Sequence, residues 1–68
     1  MEVTTIKVSG MTCQGCVRSV TRVLKALPGV ETVEVSLERG EAAVRYDPMR
    51  TDAAAFRKAV EGAGYGAA

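Results

Sequence analysis

The sequence contains no histidine, no tryptophan, two cysteines and only three aromatic residues, Tyr46, Phe56 and Tyr65, among 68 positions. Each shortage removes a class of function. Zinc wants four ligands, usually thiolate or imidazole, and without histidine one chain offers it only the two thiols. Three aromatics are too few for a base-stacking sheet. A formal net charge of +1 leaves no electrostatic footprint of a nucleic-acid binder. The apolar runs are a few residues long, far short of the ~20 needed for a membrane span. The opening MEVTTIKVSG lacks the charged and apolar regions of a secretory leader. The chain therefore reads as cytosolic, a setting that keeps thiols reduced and makes a structural disulfide the weaker reading.

What remains is ordinary globular material, 47% hydrophobic and 25% charged. It is too apolar for a disordered chain, and it suits one domain over residues 1–68 with one small core. Thr5–Val8 alternates, with Ile6 and Val8 on one face, as a short strand does. Gly10 breaks this pattern. From Gly15 the period becomes helical: Val17, Val20, Leu24 and Leu27 form one stripe, while Arg18, Ser19, Arg22 and Lys25 fill the outer face, until Pro28-Gly29 ends the helix. Val33, Val35 and Leu37 predict a second strand. Ala42, Val44 and Tyr46 predict a third, reached through a tight connection in which Gly40 supplies a positive φ. Asp47-Pro48 stops it. Thr51 or Asp52 caps a second helix with the inner stripe Ala53, Phe56, Val60 and Ala63, ended by Gly62 or Gly64, and Tyr65–Ala68 forms a brief last strand. The order βαββαβ predicts an α+β, ferredoxin-like fold, one antiparallel sheet with both helices on one face.

That fold hosts unrelated functions, so the site must decide. Ile6, Val8, Val44 and Tyr46 do not supply the strand aromatics of an RNA-recognition module. The loop after the first strand carries thiols instead of the arginine an acylphosphatase-like enzyme needs.

Both cysteines lie in GMTCQGC, residues 10–16. The pattern puts Cys13 in a loop and Cys16 at the first helical turn, where unpaired N–H groups and the helix dipole favour a thiolate. Gly15, with no side chain, leaves the loop free to bring the sulfurs together. Four readings of the pair stay open. A thioredoxin-like redox dithiol needs a longer chain and different neighbours. A structural zinc site needs a second copy to complete it. A reversible disulfide, or two idle thiols, is the plain alternative. A two-thiolate clip suits a soft, low-coordinate ion, and among biological metals thiolates select Cu(I).

GMTCQGC before an amphipathic helix, then PGV, VEVSLERGEAAVRYDP and AVEGAGY, resembles the heavy-metal-associated domain family over Thr5 to Tyr65. That family includes copper chaperones and the N-terminal domains of copper-transporting P-type ATPases. The resemblance implies that Cys13 and Cys16 are the metal ligands and that Met11 is an apolar plug beneath the loop. Thr12 stands where copper domains commonly carry Thr and zinc- or cadmium-exporting relatives an acid, so it favours Cu(I), although mercury-resistance relatives share the same opening. Tyr65 matches a position next to the site, where it shields or hydrogen-bonds a sulfur.

The function implied is a cytoplasmic carrier, not an enzyme. It binds one Cu(I) and passes it by ligand exchange to a copper-transporting ATPase or another CxxC domain, without nucleic-acid binding or membrane insertion. A metal-bridged homodimer is a further expectation. The alternatives are a mercury-binding resistance protein of the same fold and, in another class, a dithiol–disulfide oxidoreductase. Met1 close to the first strand fits a free protein or a cleanly cut domain, while the ending GYGAA stops short of the usual family length.

Overall fold

The computed structural model describes all residues, 1–68. It runs β1 (Glu2–Ser9), α1 (Gln14–Lys25), β2 (Val30–Ser36), β3 (Glu41–Tyr46), α2 (Ala53–Gly62) and β4 (Gly66–Ala67). The four strands form one sheet in the order β2-β3-β1-β4, antiparallel throughout. This is the expected ferredoxin-like α+β arrangement.

The alternating residues sort by face. Ile6 and Val8 of β1 and Ala42, Val44 and Tyr46 of β3 are buried, together with Val20 and Leu24 of α1 and Phe56 and Val60 of α2. Both helices thus lay an apolar stripe on one side of the sheet. The Tyr46 and Phe56 rings meet edge to face with centroids 4.9 Å apart, a favoured aromatic geometry. Each large side chain fully buried here contributes roughly 1.5–3 kcal/mol. The other face stays open and polar, with Lys7 on Glu41 at 3.1 Å and Arg45 near Glu31 at 3.7 Å. No helix is long and apolar enough to cross a membrane.

Several boundaries differ from the sequence pattern. β1 begins at Glu2 instead of Thr5, because it pairs with β3 from Glu2↔Tyr46 to Lys7↔Glu41. Val3 faces the open side and is 67% exposed, so its stretch carries no buried alternation to read. β2 stops at Ser36, whose Oγ accepts from the Arg39 N–H at 3.2 Å and closes a turn that takes in Leu37. β4 is only Gly66–Ala67, although Ala68 still exchanges two 2.9 Å backbone bonds with Lys7.

The registers bring three connections to one end of the sheet. β1 finishes there, β3 starts opposite Lys7, and β4 starts opposite Ser9. The loop 10–13, the turn 37–40 and the link 63–65 are therefore neighbours.

Candidate metal centre

The β1–α1 loop turns at Gly10, whose φ of 93° lies in the left-handed region that suits glycine. Met11 follows, half-buried and packed against the core. Thr12 and Cys13 are exposed. α1 begins at Gln14, one residue before the sequence pattern placed it, and makes Cys13 its N-cap. Cys13 has the extended backbone of a cap (φ −158°, ψ 172°) but its side chain makes no capping hydrogen bond. The contrast with α2 is informative. There Asp52 caps in the ordinary way, its Oδ1 accepting the Ala55 N–H at 3.0 Å. At α1 a thiol stands where an oxygen is preferred, and the first-turn N–H groups keep their attraction for negative charge.

Cys16 sits three residues into the helix, half-buried, and both thiols are free. The sulfurs lie 3.7 Å apart. Thr12 Oγ1 is 3.9 Å from the Cys16 sulfur. Gly15 lies between the cysteines with an ordinary helical backbone. A Cβ there would come 3.5 Å from Cys13 Sγ, so its bareness keeps the flank of that sulfur open and is not demanded by backbone geometry.

Tyr65 reaches the site from the far end of the chain because of how α2 ends. Gly64 has φ 98°, its N–H bonds the Glu61 carbonyl at 3.0 Å, and the Tyr65 N–H bonds the Val60 carbonyl at 3.2 Å. This pair is the Schellman stop, and it delivers Tyr65 straight from the helix onto the loop. A Cβ at Gly10 would sit 3.6 Å from the Tyr65 ring, which also packs on the core. Its hydroxyl lies on the Cys16 side of the loop.

These surroundings lower the Cys16 thiol to about 6, so it is a thiolate at neutral pH. The backbone N–H of Thr12 is the largest cause, followed by the Tyr65 hydroxyl and the backbone N–H of Cys13, with burial opposing. Amides of the loop just ahead of the helix thus contribute most, and no lysine takes part. The same contact raises Tyr65 above the usual phenol range, with burial and the thiolate's charge adding to it.

No group of three or more His, Cys, Asp and Glu side chains gathers anywhere in the fold. The soft donors gathered here are the two cysteine sulfurs. They suit a soft ion content with two sulfurs and leave zinc two ligands short.

The sequence profile of the heavy-metal-associated domain matches residues 5–66. The chain is a heavy-metal-associated domain. It is 38% identical over 63 residues to Copper-transporting ATPase 1 of Mus musculus, a match covering 93% of this domain and 4% of that protein. It is 39% identical over 61 residues to the mercuric transport protein periplasmic component of Pseudomonas fluorescens, covering 90% of the domain and 67% of that protein. A copper binding domain from HMA7, a P-type ATPase, superimposes with a TM-score of 0.98 at 32% identity, covering 100% of this domain and 92% of that chain. The CopZ metallochaperone superimposes at 0.96 and 30% identity, covering 98% and 100%.

Ser19 is the residue that sequence reasoning placed only on the outer face. It is half-buried and donates to the Gly15 carbonyl at 3.1 Å. Its spacing of three from Cys16, which puts both on one side of a helix, is the signal that was available.

Proposed function

We propose that this domain carries one Cu(I) between Cys13 and Cys16 and hands it on by thiolate exchange. The observation that carries the reading is the pair of free thiols 3.7 Å apart with no third ligand beside them. Two sulfurs satisfy a low-coordinate ion, and the missing ligands leave room for an incoming thiolate. The partner presents a CxxC of its own, as a copper-transporting ATPase domain or another chaperone does. Transfer passes through shared three-sulfur coordination, in which one bond forms before another breaks, analogous to thiol–disulfide exchange. Two thiolates and Cu⁺ carry a net charge of −1, which the start of α1 favours. Met11 acts as a packing residue beneath the loop, Thr12 supports the Cys16 sulfur, and Tyr65 covers it. The reading is of a carrier, not an enzyme, working in the cytoplasm with residues 1–68 as one metal-binding domain.

A mercury carrier is the second reading, supported by the likeness to the mercuric transport protein. Two thiolates suit Hg(II) as well. Competition on reduced protein among Cu(I), Hg(II) and Zn(II), with stoichiometry from native mass spectra, separates the readings. One tightly held Cu(I) per chain is expected. Either Cys13→Ala or Cys16→Ala should lose it to a competing dithiol while the circular dichroism spectrum stays folded. Tight one-to-one binding by a single-cysteine variant would overturn the two-thiolate site.

A further inference from the structure

Most glycines of this chain have a plain structural reason. Gly10, Gly29, Gly40 and Gly64 have a positive φ, and a side chain at Gly66 would overlap that of Ser9. Gly15 and Gly62 have neither reason, and a Cβ at Gly62 would meet nothing. Gly15 is different. It lies in the first turn of α1, and apart from its chain neighbours and the helix backbone the only atom within 4 Å of a Cβ there is Cys13 Sγ, at 3.5 Å. That is an ordinary van der Waals distance, so alanine would fit. Alanine is also the better helix former, because glycine loses more chain freedom on folding. The helix thus gives up stability at a position whose one neighbour is a sulfur of the candidate metal centre.

The two sulfurs also differ in their surroundings. Cys16 is half-buried with Thr12 Oγ1 at 3.9 Å, whereas Cys13 is exposed. We propose that Gly15 is a specificity-determining residue: its missing side chain leaves a lane through which a thiolate borne by a folded protein reaches the ion from the Cys13 flank. The proposal deepens the carrier reading and rests on it. In the exchange one copper–sulfur bond forms to the incoming thiolate, and the bond to Cys13 then breaks. Each sulfur keeps its electron pair and copper stays Cu(I), so no oxidant or reductant is needed. If the incoming group arrives as a thiol, its proton ends on the departing Cys13. A thiolate on a protein brings its own loop with it and needs more room than a small dithiol. A methyl group 3.5 Å from Cys13 Sγ narrows the lane without displacing the sulfur, so it should slow entry and leave retention of Cu(I) unchanged.

The test compares wild type with Gly15→Ala and Gly15→Val in two arms. In the first, metal-free reduced protein is labelled at one fixed pH with iodoacetamide, which is small, or fluorescein maleimide, which is bulky, and each cysteine is followed by peptide mapping. The bulky-to-small rate ratio at one thiol cancels its thiolate fraction and reports access. At Cys13 this ratio should fall several-fold from Gly to Ala to Val, while the ratio at Cys16 stays constant. In the second arm, Cu(I)-loaded variants meet either a ¹⁵N-labelled metal-free copy of the wild-type domain or dithiothreitol, and native mass spectra follow the metal. Transfer to the protein acceptor should slow several-fold, with extraction by dithiothreitol unchanged. Thermal melts by circular dichroism should put Gly15→Ala at or above the wild-type midpoint. A constant ratio at Cys13, an equal fall at both cysteines, equal slowing for both acceptors, or a lower midpoint for Gly15→Ala would each overturn the assignment. The labelling arm contains no metal, so its failure removes the lane and leaves the copper competition standing, whereas failure of that competition removes the carrier reading and leaves the labelling readable.

Discussion

At the scale of single residues, the site depends on which groups face sulfur and which merely fill space. Met11 is half-buried against the core, which is a packing role. Met11→Leu keeps volume and loses the thioether. It should destabilise by less than roughly 1.5 kcal/mol and leave Cu(I) retention intact, as denaturant unfolding and chelator competition can check. Lost retention at normal stability would make Met11 a ligand. Cys16 makes a pH-dependent prediction. Its folded value, about 6, lies below the ~8.5 of a free thiol. Between those values the unfolded chain binds a proton that the folded chain does not, so stability rises with pH through this window. It is complete above the unfolded value and is lost as pH falls through 6. Urea midpoints of reduced, metal-free protein should climb from pH 6 to pH 8.5, and Cys16→Ala should flatten the climb. Much of this site was legible, because GMTCQGC brings the thiols and the helix start together in seven consecutive residues. The dominant influence on Cys16 was not legible: a backbone N–H at Thr12 leaves no trace in residue identity. Ser19 was hidden for a related reason, since a polar residue among Arg18 and Arg22 reads as solvent-facing, whereas its hydroxyl turns back onto the Gly15 carbonyl.

At the scale of elements, the ends mattered more than the middles. The stripes Val20/Leu24 and Phe56/Val60 were plain in the sequence because burial imposes a period. The start of β1 was not, because pairing along Glu2–Thr5 uses backbone groups and needs no apolar side chain. The end of α2 was read only as a choice between Gly62 and Gly64. The structure decides it, since only Gly64 has a positive φ, 98°, and the two carbonyl bonds of the stop follow from it. Gly64→Ala should therefore be destabilising by about 1–2 kcal/mol, the penalty of placing a Cβ in the left-handed region. The position is sterically open, so a clash contributes nothing. Gly62→Ala, at a helical position with open space, should instead be neutral or stabilising. Equal destabilisation by both variants in thermal melts would remove the Schellman stop as the device that delivers Tyr65.

At the scale of the whole molecule, charge is sorted between the two faces. All three ion pairs, Lys7–Glu41, Arg39–Glu41 and Arg45–Glu31, belong to the strands and their turns. The outer stripe of α1 has Arg18, Arg22 and Lys25 without a partner, and α1 contains no acidic residue. This stripe starts beside the cysteine loop. Two copies meeting loop to loop bring like charges together, so the metal-free protein has an electrostatic reason to stay apart. A metal changes the balance. One Cu(I) between two dithiols finds up to four thiolates, and Cys13 is exposed enough to be shared. We therefore expect a dimer only when copper is substoichiometric and protein concentrated, and we expect salt to strengthen it. At 0.1 M ionic strength the screening length is about 10 Å, shrinking to about 3 Å at 1 M, so added salt removes the repulsion between exposed stripes and leaves metal–sulfur bonds untouched. Sedimentation velocity at half an equivalent of Cu(I), repeated at low and high salt and after chelation, reads all three dependences. A dimer equally abundant without copper, or one that salt dissolves, would show that association runs through complementary surfaces and not through a bridging ion.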